Sequence, residues 1–243
     1  VLFMAETAAI LCPEKTVLLP DTHAGCPMAD MITAKSLREE KKKHPKAKVV
    51  CYVNSSAAVK AESDVCCTSA NAVSIVEKMA DAEEIIFIPD QYLGSYVSSQ
   101  TGRDMILWPG FCPTHARLQP QDISRLKIEH PQARILVHPE CRPEVIALAD
   151  KVCSTGGMIR FAGETDAKEI IVGTEMGIIH RLRKENPEKI FIPASEQAIC
   201  PRMKLITLKT ILQSLEKMTH QIKIPERTRL KAQTAVDKML EVS

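Results

Sequence analysis

The sequence predicts an α/β protein made of three similar three-layer α/β/α units related by a pseudo-threefold axis, each with a short parallel sheet. The first unit is expected to be incomplete. Three observations carry this reading. The stretch His44-Pro45-Lys46-Ala47-Lys48-Val49-Val50 returns 86 residues later as His130-Pro131-Gln132-Ala133-Arg134-Ile135-Leu136. Short apolar, β-branched runs alternate with helical patterns along the whole chain, as in sheets covered by helices on both faces. A Cys-Pro pair recurs at Cys26, Cys112 and Cys200, at spacings of 86 and 88 residues. An internal period of this length points to a repeated supersecondary unit.

The elements follow in order. Val1–Leu11 reads as a helix. Pro13-Glu14-Lys15 and the apolar run Val17–Leu19 match Pro187-Glu188-Lys189 and Ile190–Ile192, so both runs are expected as strands. Further strands are expected at Val49–Val53, Ile85–Ile88, Ile135–Val137 and Ile170–Val172, and helices at Ala70–Lys78, Pro143–Ala149 and Pro201–Met218. Asp64 aligns with Asp150, and Cys67-Thr68-Ser69 with Cys153-Ser154-Thr155. The unit boundaries fall at 1–46 for the incomplete first unit, 47–132 for the second, and 133–243 for the third with a C-terminal helix. In the second unit 64 residues separate Lys48 from Cys112, whereas 25 precede Cys26, so by its own repeat the first unit lacks a strand and the loop after it.

Composition narrows the function. The 243 residues are 45% hydrophobic and 26% charged, with a net charge of +2 and nine aromatic residues. That balance speaks against a nucleic-acid binder built on a basic, aromatic face. No apolar run approaches the roughly 18 residues of a membrane span, and no signal peptide opens the chain. Nine cysteines, an odd number without an export signal, read as thiols of a cytoplasmic protein.

The three repeated Cys-Pro turns carry the first candidate site. Proline suits the first helical turn, which would put each cysteine at or near an N-cap, where unpaired N–H groups stabilise a thiolate. Three thiolates suit a [4Fe–4S] cluster with one open iron, or a catalytic zinc ion with a water. The plain alternative is three packed cysteines in repeated turns. Cys12-Pro13 has Asn186-Pro187 as its repeat partner and reads as a turn. Cys51, Cys66, Cys67 and Cys153 lie in or beside apolar strands and read as buried thiols. Cys141 lies in a candidate site loop.

The loops after the strands carry the second site, since ligands of parallel sheets bind beyond the carboxyl ends of strands. Tyr52 and Asn54 are plausible donors, and His138 and Glu140 a plausible acid–base pair. Thr68-Ser69 and Ser154-Thr155 suit an anion or simple helix capping, the latter being preferred for Ser154. His23, His115 and His180 receive no role from the sequence.

Together these residues resemble the quinolinate synthase family. The matching stretches run the length of the chain, in order. They include Ala24-Gly25-Cys26-Pro27-Met28-Ala29-Asp30-Met31, Tyr52-Val53-Asn54-Ser55-Ser56-Ala57, Cys67-Thr68-Ser69-Ala70-Asn71, Trp108-Pro109-Gly110-Phe111-Cys112, His138-Pro139-Glu140-Cys141, Thr174-Glu175-Met176-Gly177 and Cys200-Pro201-Arg202-Met203-Lys204. The resemblance implies a [4Fe–4S] cluster on Cys26, Cys112 and Cys200. It implies condensation of iminoaspartate with dihydroxyacetone phosphate to quinolinate, phosphate and water, in NAD biosynthesis, with an aspartate oxidase or dehydrogenase supplying the iminoaspartate. It assigns Tyr52 and Asn54 to substrate carboxylate binding, His138 and Glu140 to proton transfer, and Ser69 and Thr155 to substrate contact. Two departures stand out. The family's His–x–Tyr and Asp-Ser loops are absent, and Ser154-Thr155-Gly156-Gly157 replaces the Ser-Thr-Ser-Gly of many members. The alternatives are another three-cysteine iron–sulfur enzyme of this architecture or a non-catalytic metal-binding module.

Overall fold

A computed structural model describes residues 1–242. The chain forms two compact units, one of residues 1–110 together with the stretch from Pro201 on, the other Phe111–Cys200. The repeat boundaries mark where the sequence pattern restarts, and the compact units mark where packing is dense, so the two divisions cut the chain at different places.

The first unit runs α1 (Leu2–Leu11), α2 (Ala34–Lys43), β1 (Ala47–Tyr52), α3 (Ala57–Lys60), β2 (Val65–Cys67), α4 (Ala72–Glu77), β3 (Glu84–Ile88), α5 (Gln91–Thr101) and β4 (Ile106–Leu107). The second runs α6 (Pro120–Glu129), β5 (Arg134–Val137), α7 (Pro143–Ile146), β6 (Lys151–Val152), α8 (Thr155–Glu164), β7 (Glu169–Gly173), α9 (Ile178–Glu185) and β8 (Ile190–Pro193). The chain then returns to the first unit with α10 (Leu208–Lys217) and α11 (Glu226–Leu240).

Both sheets are four-stranded and parallel, with the matching orders β2-β1-β3-β4 and β6-β5-β7-β8. The repeat extends to single hydrogen bonds. The Val49 N–H donates to the Asp64 carboxylate at 2.9 Å, and the Ile135 N–H, 86 residues on, to Asp150 at 2.8 Å. Each aspartate sits just before the neighbouring strand and ties it to the central one, fixing the register. Lys48 and Arg134 face these carboxylates at 3.6 and 2.8 Å.

Side chains alternate across a strand, so successive residues feed opposite cores. In the second sheet Ile135, Val137 and Ile171 pack with Ile123 and Leu126 of α6. Leu136, Ile170 and Val172 pack on the other side with Met158 of α8 and Ile179 and Leu182 of α9. In the first, Val49, Cys51, Cys66 and Ile86 pack against Ala235, Val236 and Met239 of α11. The last helix, expected with the third unit, thus covers the first sheet.

Three expectations change in detail. Val17–Leu19 forms no strand, because Leu18 finds only an isolated antiparallel bridge to Gln221. Pro201–Met218 is broken into a 3₁₀ turn, Pro201–Lys204, and α10, because Thr207 and Thr210 form a capping box that starts a new helix. The short strand β4 is new, and β2 and β6, expected only as strands in or beside which Cys66, Cys67 and Cys153 lie, gain bounds.

Candidate active site

The three repeated cysteines sit in similar turns, those of Cys26 and Cys112 alike to the hydrogen bond. The carbonyl of Cys26 accepts from the Asp30 N–H at 3.1 Å, and that of Cys112 from the Ala116 N–H at 2.9 Å. A 3₁₀ turn follows each of the three, at Ala29–Met31, His115–Arg117 and Pro201–Lys204. Seven residues past each cysteine, a capping box at Thr33, Gln119 or Thr207 opens a full helix. This corrects the N-cap expectation. The cysteines lie in the turn ahead of the helix, since the capping residues, not the prolines, start α2, α6 and α10. All three thiols are partly exposed, whereas Cys51, Cys66, Cys67 and Cys141 are buried. Cys12 and Cys153 are also partly exposed, but Cys12 closes α1 and Cys153 follows β6.

The carboxyl edge of the first sheet carries Tyr52, at the end of β1, and Asn54 just after it. Ser69 follows the neighbouring β2, whose Cys67 is the register partner of Tyr52. Tyr52 is buried, and Asn54 and Ser69 are partly exposed. The Ser55 hydroxyl donates to the Tyr52 carbonyl at 3.0 Å and shapes the loop.

On the second sheet, His138 and Glu140 follow β5, and Thr174 follows the adjacent β7. All three are buried, with His115 from the turn after Cys112. The His115 and His138 rings stack with centroids 4.8 Å apart. His115 Nε2 lies 2.8 Å from the Thr174 hydroxyl. Its Nδ1 lies 3.0 Å from a Glu140 oxygen, poorly aligned for a hydrogen bond. Glu140 Oε1 lies 3.9 Å from His138 Nδ1, and the Glu140 N–H donates to that same nitrogen at 3.3 Å. A neutral His138 ring therefore carries its proton on Nε2. Burial, with His115 adding to it and Glu140 opposing, lowers the His138 pKa to about 4.

Cys112, His115 and Glu140 each offer a ligand atom within 4.8 Å of the other two, an arrangement that could hold a metal ion. Arg142 Nε donates to the Ala116 carbonyl at 2.9 Å, tying the His138–Glu140 loop to the turn after Cys112. Glu175 accepts from the Cys200 N–H at 3.3 Å and from the Gly177 N–H at 2.8 Å, holding the backbone of the third cysteine. Thr155 is the exposed first residue of α8, and Ser154 caps that helix by accepting from the Gly157 N–H at 3.2 Å, as expected of it.

Sequence reasoning gave no role to His115, Thr174 or Glu175. The Cys112-x-x-His115 spacing was a usable signal for the first. The others meet their partners only through the fold.

A buried acid–base cluster at the carboxyl edge of a repeated parallel sheet, beside the Cys112 thiol, is the arrangement of an α/β enzyme site. Comparison with known proteins then gives the family. The family described as Quinolinate synthetase A protein matches residues 1–241. A quinolinate synthase of Dehalococcoides mccartyi (strain CBDB1) is 59% identical over 240 residues, covering 99% of this chain and 79% of its own length. Those of Geotalea uraniireducens (strain Rf4) and Methanosarcina barkeri (strain Fusaro / DSM 804) are 55% and 54% identical with the same coverage. The chain belongs to the quinolinate synthetase A protein family. Among the described residues no helix is long and apolar enough to cross a membrane.

Proposed function

We propose that this chain condenses iminoaspartate with dihydroxyacetone phosphate to give quinolinate, phosphate and water, a step of NAD biosynthesis in the cytoplasm, with an aspartate oxidase or dehydrogenase supplying the iminoaspartate. The observation that carries the reading is the buried His138–Glu140–His115 cluster beside Cys112. The relatives named quinolinate synthase support it.

Cys26, Cys112 and Cys200 would hold a [4Fe–4S] cluster. Their fit rests on the similar turns, the partial exposure of all three thiols and a donor set of soft sulfur ligands. Bound by three cysteines, such a cluster leaves one iron open as a Lewis acid toward a substrate oxygen. The remaining work falls to the chain's own side chains. Tyr52 and Asn54 bind and orient a substrate carboxylate through hydroxyl and amide donors, with Ser69 on the adjacent strand end. His138, neutral through burial, presents Nε2–H as a donor, and Glu140 accepts a proton. His115 keeps the Glu140 carboxylate in place. Thr155 offers a hydroxyl and a helix-start N–H to an anionic group.

Anaerobic reconstitution should give about four irons and four sulfides per chain. Cys112→Ala should lose them and Cys12→Ala should not. A stable cluster in Cys112→Ala would sink the reading. The donor set of Cys112, His115 and Glu140 favours one second reading, a single zinc ion. Metal analysis showing zinc and no iron would select it, and would favour a different metalloenzyme or a non-catalytic metal-binding module.

A further inference from the structure

Lys60 is among the largest fully buried side chains, with none of its surface exposed. A buried ammonium is costly unless its donors are used. Two of them are: Nζ donates to the Val53 carbonyl at 2.8 Å and makes a shorter bond to the Ser55 carbonyl. These carbonyls flank Asn54. The Phe3 ring of α1 lies over the same ammonium, 5.7 Å from Nζ to the ring centre. Glu6, also on α1, accepts from the Ala57 N–H at the start of α3 at 2.9 Å, so the helix carrying Lys60 is anchored independently.

The protein's own repeat asks whether the fold needs a lysine here. α3 (Ala57–Lys60) and α7 (Pro143–Ile146) are equivalent four-residue helices 86 residues apart. Val59 and Val145 are both completely buried. Opposite Lys60 stands Ile146, partly buried at the margin of the apolar core of its sheet. The scaffold therefore accepts an aliphatic side chain at this place. What differs is the loop ahead of the helix, Tyr52-Val53-Asn54-Ser55 in one copy and His138-Pro139-Glu140-Cys141 in the other.

We propose that Lys60 is a positioning residue for the Tyr52–Asn54 loop, its buried ammonium pinning the carbonyls on both sides of Asn54. This rests on the reading of Tyr52 and Asn54 as substrate-binding residues. Buried carbonyls require partners. Without the ammonium the Val53 and Ser55 carbonyls on either side of Asn54 must turn toward other donors, and the Asn54 side-chain amide turns with them. The Asn54 amide is thus aimed from behind, by a residue that does not itself meet the ligand.

The test uses the intact chain with Lys60→Ile, which copies Ile146, Lys60→Gln, which keeps a donor, and Asn54→Ala. Hydrogen exchange of the amides at 53–56 is read beside steady-state quinolinate formation. Lys60→Ile should fold, exchange those amides about tenfold faster and lose about 10- to 100-fold in kcat/KM, mostly through KM. Lys60→Gln should recover part of both effects. Unchanged loop exchange in folded Lys60→Ile overturns the proposal. So does failure of both lysine variants to fold, since the lysine would then be a requirement of the scaffold. If the loop loosens but Asn54→Ala keeps normal kinetics, the positioning stands and the substrate-binding reading of the loop fails.

Discussion

His138 offers a direct measure of how strongly the second sheet's edge excludes water. Its ring is buried and neutral, and its pKa falls from 6.5 to about 4, chiefly through burial. Above pH 6.5 neither the folded nor the unfolded chain holds this proton. Between 6.5 and about 4 only the unfolded chain takes it up, so folding stability drops as pH falls. Below about 4 the folded chain is protonated too, and the loss levels off. The fall from 6.5 to about 4 corresponds to on the order of 3 kcal/mol of stability that is present above pH 6.5 and lost across that window. His138→Gln removes the titrating group and keeps a polar side chain of related size. Urea unfolding at pH 7 and pH 4.5 compares the two proteins. The wild type should lose about 2–3 kcal/mol more than the variant between those pH values. Equal losses would refute the reasoning, because the buried, neutral state of His138 would then carry no linkage.

Two further predictions concern the scaffold. Asp64→Ala and Asp150→Ala each leave a central-strand N–H without its carboxylate and should cost about 1–2 kcal/mol apiece in chemical denaturation. The Asp150 pKa is lowered, the Ile135 N–H and Arg134 outweighing burial, so its contribution fades as pH falls below the usual aspartate range. Gly110→Ala should lower the thermal midpoint, at a cost of about 2–3 kcal/mol, because the added Cβ runs into the Pro89 carbonyl oxygen, which is backbone and cannot swing away. An unchanged midpoint would mean that the 89–110 contact is slack.

The sequence carried the repeat and the longer strands plainly, because Val49–Val53, Ile85–Ile88 and Ile170–Val172 are apolar throughout, as strands buried on both faces must be. It hid β4 and the bounds of β2 and β6, which are only two or three residues long and depend on pairing with a longer neighbour. It misread Val17–Leu19 because an apolar triplet says nothing about whether a partner strand lies beside it. In the site, His138 and Glu140 were legible from their place just after a strand, and Ser154 from its place just before a helix. His115 could have been picked out by its spacing from Cys112, but its Glu140 and Thr174 partners could not, because they lie 25 and 59 residues away. The cysteine turns were misplaced relative to the helices for a local reason. A proline next to the cysteine permits a helix to start, but Thr33 and Thr207, and for α6 the Asp122 carboxylate accepting from the Gln119 N–H, supply the capping bonds that start one.

The two aspartate clamps have a consequence for how the protein can change. They sit at the amino ends of the strands, while Tyr52, Asn54, His138 and Glu140 lie at or just past a carboxyl end. The length of a strand, on the order of 15 Å, separates what sets the register from what does chemistry. A loop at one end can therefore be rewritten without disturbing the pairing at the other. The two sheets illustrate this. One shared frame carries Tyr52 and Asn54 in one copy and His138 and Glu140 in the other, with lysine exchanged for isoleucine underneath. Such a frame works as an interchangeable mount, and grafting one copy's edge loop onto the other should test the chemistry of the loops while leaving the sheets intact.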